Sequence, residues 1–107
     1  ISDLQAWILQ NLTADLCVEN LAEKVAMSPR NFTRVFTRDA GVPPARYVTE
    51  ARLAAARQLL EQTRDSLERI AEQSGFGTSI NLRRVFEKQL HLTPGEYRQR
   101  FHCRRMA

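Results

Sequence analysis

The stretch NFTRVFTR that begins at Asn31 returns as NLRRVFEK beginning at Asn81, 50 positions later. A repeat of this kind constrains the fold before any single element is assigned, because each copy must be one supersecondary unit that buries the same face. The correspondence is longer than the quoted words. Asn31, Arg34, Val35, Phe36, Pro44 and Tyr47 return as Asn81, Arg84, Val85, Phe86, Pro94 and Tyr97 at an offset of 50, whereas Glu19, Ala22 and Glu23 return as Glu68, Ala71 and Glu72 at 49. The second copy therefore holds one extra residue in the turn between its two matched segments.

Apolar spacing of helical period runs through both copies. Leu4, Trp7, Ile8 and Leu12 predict a first helix behind Ser2 as N-cap, with Leu16 in the loop after it. Val18, Leu21, Ala22 and Val25 predict a second helix that ends at Met27 and Ser28. A turn of about three residues then leads to a third, with Ser28 as N-cap and Pro29 as its first residue. Phe32, Val35, Phe36 and Ala40 form the inner stripe of that helix, and Gly41 stops it where a left-handed residue costs least. Pro43-Pro44 opens a long helix to about Gln62, whose alanines and leucines occupy more than one face, as suits a helix with two neighbours. The pattern then restarts. Asp65 or Ser66 caps a helix with Leu67, Ile70, Ala71 and Ser74 inside, Gly75 permits the turn, and Thr78 or Ser79 caps the next, which buries Leu82, Val85, Phe86 and Leu90. Thr93-Pro94-Gly95-Glu96 is a capping-box start for a last short helix. No strand-like alternation of useful length occurs. The expected fold is all-α with about seven helices: a first helix-turn-helix subdomain over 1–42, a linker helix over 43–63, a second subdomain over 64–101 and a tail over 102–107.

A helical wheel places Arg30, Thr33, Arg34, Thr37 and Arg38 opposite Phe32 on the third helix, and Ile80, Arg83, Arg84, Glu87 and Lys88 opposite Leu82 on the sixth. Charge is segregated the same way in each copy. Residues 28–41 carry three Arg and one Asp, and 78–91 carry two Arg, one Lys and one Glu, so each second helix is net positive. The helices before them are net negative through Glu19, Glu23 and Lys24, and through Glu68, Arg69 and Glu72. Positive charge thus concentrates where a helix-turn-helix would face DNA. One basic amphipathic helix is most often a solvated face, but a purely structural repeat would not reproduce the outward arginines.

Composition narrows the partner class. With 16 Lys and Arg against 12 Asp and Glu the 107-residue chain carries a formal +4, which favours an anionic partner, nucleic acid or an acidic membrane surface. Apolar runs of only a few residues span no bilayer and no signal segment opens the chain, so the expectation is a cytoplasmic protein without membrane insertion. The chain starts at Ile1 and not Met, which suggests a piece of a longer product. Cys17 and Cys103 lie 86 positions apart with no CxxC, so reduced, incidental thiols are expected, with no metal and no cofactor. Two late histidines, His91 and His102, are expected to be incidental and exposed, and no nucleophile-base or carboxylate pair argues for an enzyme. A module that docks an acidic helix is the other class, and a steep fall of duplex affinity with salt separates it from a DNA binder.

The run LAEKVAMSPRNFTRVFTRDAGVPPARYV, the helix RLAAARQLLEQT and the run LERIAEQSGFGTSINLRRVFEKQLHLTPGEYRQRF resemble the double helix-turn-helix domain of AraC-type (AraC/XylS) transcription regulators over nearly the whole chain. That resemblance implies a sequence-specific double-stranded DNA-binding domain, monomeric in isolation, whose third and sixth helices enter adjacent major-groove segments, with RNA polymerase as a partner of the full regulator. By position it assigns base contacts to Arg30, Thr33 and Arg34 and to Ser79, Ile80, Arg83 and Arg84, with Thr37, Arg38 and Lys88 as phosphate contacts. The wording GFGTSINLRRVF resembles members with an upstream amidotransferase-like (DJ-1/PfpI-type) sensor domain. Six residues depart from the pattern or stay open, among them Arg83 and Arg84, which either read bases or contact phosphate alone. Cys17 stands where the family has Ser or Thr to cap the second helix. Ile80 is apolar where a polar reader is common, and is either a thymine-methyl contact or a neutral residue. Asn31 and Asn81, at the edge of the outward face, are structural or contacting. On these residues the first unit is expected to fix sequence and the second to add affinity and orientation.

Overall fold

The structure, a computed structural model, describes residues 1–102. Seven helices follow in order: α1 (Ser2–Gln10), α2 (Val18–Lys24), α3 (Pro29–Ala40), α4 (Pro44–Gln62), α5 (Leu67–Ser74), α6 (Ser79–Leu90) and α7 (Pro94–Phe101). Among the described residues there is no strand, and no helix is long and apolar enough to cross a membrane. The chain forms two compact units, Ile1–Ala51 and a second that begins at Arg52, so the division falls inside α4.

In the first unit Leu4, Ile8, Leu16, Leu21, Ala22, Phe32, Phe36 and Val48 form the core. Phe36 is fully buried and meets Tyr47 edge-on, with ring centroids 5.4 Å apart. Ser2 is not the N-cap of α1. Ile1 takes that place with no side-chain cap, because its carbonyl already accepts the Gln5 N–H at 2.9 Å and Ile1 itself packs against the core. Nor does α1 reach Leu12. The Asn11 side-chain amide donates to the Trp7 carbonyl at 2.8 Å and closes the helix, so Leu12 packs on the core from the loop.

The end of α2 also differs from expectation. Ala26 adopts φ 57°, its N–H donates to the Glu23 carbonyl and the Met27 N–H to the Ala22 carbonyl at 2.9 Å. This is the paired 5→2 and 6→1 bonding of a Schellman end, built on alanine where glycine is usual. In the second unit the corresponding bond runs from the Gly77 N–H to the Ala71 carbonyl at 3.0 Å. It spans one residue more, and the added length seats Phe76 in the core.

The second core is Leu53, Ala56, Leu60, Ile70, Ala71, Phe76, Leu82, Phe86 and Tyr97. Ser74, the one buried polar residue among the described residues, is satisfied by donating to the Ile70 carbonyl at 2.7 Å. Tyr97 meets Phe86 edge-on at 5.4 Å. Its hydroxyl accepts from Arg57 Nε at 3.3 Å and donates to the Glu61 carboxylate, which ties α7 to the second half of α4. Burial first, and then the Glu61 bond, hold this phenol above its ordinary pKa against the pull of Arg57. The cores divide α4 along its length, Val48 serving the first and Leu53, Ala56 and Leu60 the second, whereas the second face expected from Ala51, Ala54 and Ala55 enters neither core and is half-buried or exposed.

Caps follow local chemistry. Ser28, Ser66, Thr78 and Thr93 each accept the N–H three residues on, at 3.0 to 3.2 Å, and Glu96 closes the capping box on Thr93. Gly41 stops α3 at φ 85°, and His91, exposed as expected, takes the same left-handed place after α6 at φ 61°. His102 is half-buried, not exposed, because it shares a shallow depression with Arg64, Arg98 and Gln99. Cys103 and the rest of the expected tail after His102 lie outside the described residues.

Cys17 is the N-cap of α2 without a side-chain cap bond, although the corresponding Ser66 makes one to Arg69 N at 3.1 Å. Cys17→Ser should therefore raise stability by about 0.5–1 kcal/mol, measured by denaturant unfolding. An unchanged midpoint would show that the contact from the Cys17 N–H to Asp15 Oδ1 at 3.2 Å already suffices.

Candidate nucleic-acid interface

Each unit builds one outward face from the same three devices. A serine or threonine N-cap fixes where the helix starts, two buried aromatic or aliphatic side chains four residues apart fix its rotation, and a left-handed residue ends it. On α3 the buried pair is Phe32 and Phe36, and on α6 it is Leu82 and Phe86. With rotation fixed in this way, residues at matching positions after each cap must emerge on matching faces.

On α3, Arg30, Arg34 and Arg38 are exposed as expected. Thr33 and Thr37 are half-buried, and the Thr37 hydroxyl donates to the Thr33 carbonyl at 2.7 Å. Arg38 pairs with Asp39 at 3.0 Å, and Ser28, Arg30, Asn31 and Arg34 line a shallow depression at the start of the helix. On α6, Ile80, Arg83, Arg84, Glu87 and Lys88 are exposed, and Arg83 pairs with Glu87 at 3.5 Å. Ile80 is 80% exposed, more than any other large apolar side chain described. Ser79 is half-buried and its hydroxyl donates to the Glu68 carboxylate of α5, so it is engaged inside its own helix-turn-helix.

Two residues left open by the sequence acquire a definite place. Arg34 Nη2 donates to Asn31 Oδ1 at 2.7 Å, and Arg84 Nη2 donates to Asn81 Oδ1 at 2.7 Å. The same bond at the same length in both units follows from the helix, since residues three apart share a face. The sequence signal was the repeated Asn-x-x-Arg spacing. Asn81 is further held, its Nδ2 donating to the Phe76 carbonyl at 3.0 Å.

This arrangement can grip an anion and read a base edge. Each guanidinium has five N–H donors, so one bond to asparagine leaves four, enough for a two-pronged contact with guanine or phosphate. The ion pairs to Asp39 and Glu87 are exposed and weak, and give way readily to phosphate. An exposed isoleucine among arginines can offer a thymine methyl an apolar contact. Among the described residues no three His, Cys, Asp or Glu side chains are placed to hold a metal ion.

A family model described as a helix-turn-helix domain matches residues 21–100. The chain is 45% identical over 84 residues to an HTH-type transcriptional regulator of Mycobacterium tuberculosis, a match covering 78% of this chain and 32% of that one. Among solved structures it is similar to the DNA-binding domain of AdpA in complex with a target DNA, with 34% identity, a TM-score of 0.89 and coverage of 97% of this chain and 94% of that one. It is also similar to an AraC-type DNA-binding domain-containing protein from Chromobacterium violaceum, at 29% identity and a TM-score of 0.79 over 92% and 88% of the two chains. The chain spans about a third of the length of the curated relatives it matches.

Proposed function

The chain belongs to the AraC-type helix-turn-helix family of transcription regulators, and on that premise we propose how it works: it binds double-stranded DNA by sequence, with α3 and α6 in adjacent major-groove segments. The observation that carries this reading is the doubled outward face, on which Asn31 and Arg34 recur as Asn81 and Arg84 in the same bonded geometry. Arg30, Arg34, Ile80, Arg83 and Arg84 are the base readers, and Arg38 and Lys88 the phosphate contacts. Thr33, Thr37 and Ser79 stay candidates, although Thr37 and Ser79 must give up an internal bond to donate to DNA. The setting is the cytoplasm of a bacterial cell, where the full regulator works on transcription through RNA polymerase. An amidotransferase-like domain is the reading for its sensor, and the relatives, about two and a half times the length of this chain, have room for one.

Because both reading helices lie in one chain, the domain is a monomer that occupies an asymmetric site about two helical turns long. Footprinting with sedimentation of the complex tests this. Protection over about 20 base pairs by one chain is the expected result. Protection of a single turn, or binding seen only for a dimer on a palindrome, would refute it.

A further inference from the structure

We propose that Asn31 and Asn81 are positioning residues for the arginines that meet DNA, and that Asn81, itself tied to its turn, presets Arg84 more firmly than Asn31 presets Arg34. The proposal rests on the DNA-binding reading above and adds the device that decides how an arginine on this face is presented. A long, exposed side chain loses much rotamer freedom when it must form a two-pronged contact, and whatever fixes it beforehand improves both affinity and discrimination.

Arg34 and Arg84 are both exposed, and each is drawn to the oxygen of an asparagine one turn back at 2.7 Å. The bond takes one Nη2 hydrogen and fixes the plane of the guanidinium. The asparagines are placed in turn by the N-caps, since the Asn31 N–H donates to Ser28 Oγ and the Asn81 N–H to Thr78 Oγ1. Beyond this point the units diverge. Asn81 is half-buried and its Nδ2 donates to the Phe76 carbonyl, so its oxygen cannot swing away from Arg84 without breaking a bond. Asn31 is exposed, and no such bond ties its side chain to its own turn among the described residues. The difference traces to the extra residue in the second turn, which brings the Phe76 carbonyl within reach. The consequence reverses the ordering read from the sequence: the second unit holds the more discriminating arginine, and Arg34 is the adaptable one.

A double-mutant cycle on the full chain tests this. Base preference is read by selection from a randomised duplex pool, for wild type, Asn81→Ala, Arg84→Ala and the double variant, and for the matching set at Asn31 and Arg34. Asn81→Ala should lower discrimination at the base under Arg84 about fivefold or more, with affinity for a non-cognate duplex unchanged. In the Arg84→Ala background it should change nothing further. Asn31→Ala should lose less than Asn81→Ala. Equal losses with and without Arg84, or a larger loss at Asn31, would overturn the proposal. Guanidinium nitrogen NMR on the free protein supplies a readout that needs no DNA: rotation about the Arg84 Cζ–Nη2 bond should be slower than for Arg34 and should quicken in Asn81→Ala. Equal rotation for both arginines in wild type would overturn it even if Asn81→Ala failed to fold. If the preset arginine is seen but no duplex is bound, the DNA-binding reading fails and the positioning bond stands.

Discussion

Raising monovalent salt from about 50 to about 200 mM should weaken binding to the preferred duplex about a hundredfold to a thousandfold. Six exposed cations lie on the outward faces of α3 and α6: Arg30, Arg34, Arg38, Arg83, Arg84 and Lys88. Arg38 and Lys88 meet phosphate, and the four base-reading arginines, set in a groove between two phosphate backbones, neutralise phosphates as well, so four to six neutralised phosphates give a slope of log affinity against log salt of roughly −4 to −5. Two of the six are held in ion pairs, Arg38 with Asp39 and Arg83 with Glu87, but both pairs are largely exposed and compete poorly with a duplex. Removing a pure phosphate contact is then a distinct signature. Lys88→Ala should flatten the slope by about one unit and weaken cognate and non-cognate duplexes alike, whereas loss of a base reader changes the ratio between them. Titrations at four salt concentrations suffice to measure it. A slope no steeper than about −1 would mean that the basic faces do not lie along a phosphate backbone, and would move the argument to an acidic protein partner.

The legible parts of this fold are those decided within a few residues. Ser28-Pro29, Ser66, Thr93 with Glu96, and Gly41 are helix boundaries because the bond or backbone angle each supplies is local. The outward arginines were legible for the same reason, since a period of 3.6 and two buried anchors fix the face. What escaped was decided elsewhere. Ala26 adopts a left-handed angle although its composition does not ask for one, because Met27 must turn toward the core and the α2 carbonyls must be met. Position alone assigns Ser79 a base contact, but its bond to Glu68 depends on how α5 and α6 pack. Asn81 could be seen to precede Arg84 by three, but its tie to Phe76 arises only once the longer turn has folded. Local chemistry thus announced which side chains face outward. Packing decided which of them are already engaged.

Phe86→Ala should lower stability by about 3–5 kcal/mol, and Phe36→Ala by a similar amount. Both rings are fully buried, and each touches the tyrosine of the helix start that follows, Tyr97 or Tyr47, edge-on at 5.4 Å. The loss therefore has three parts: the transfer of a phenyl ring, the cavity it leaves among close-packed neighbours, and the aromatic pair. Domains of this size are stable by about 5–15 kcal/mol, so either variant comes close to unfolding, and melting should fall by more than about 10 °C. Tyr97→Phe separates the parts. It keeps the ring pair and removes only the hydroxyl that bridges Arg57 and Glu61, so a much smaller loss is expected, on the order of 1 kcal/mol. The site is affected in proportion, because Phe86 and Leu82 hold the rotation at which Arg83, Arg84 and Ile80 emerge. Where Phe86→Ala remains folded, it should lose base preference before it loses salt-dependent affinity, since phosphate contacts tolerate a loosened helix and base contacts do not. Calorimetry beside binding to cognate and non-cognate duplexes measures both. If Phe86→Ala melted like wild type, the inward face assigned to α6 would be wrong, and with it the outward face on which the interface stands.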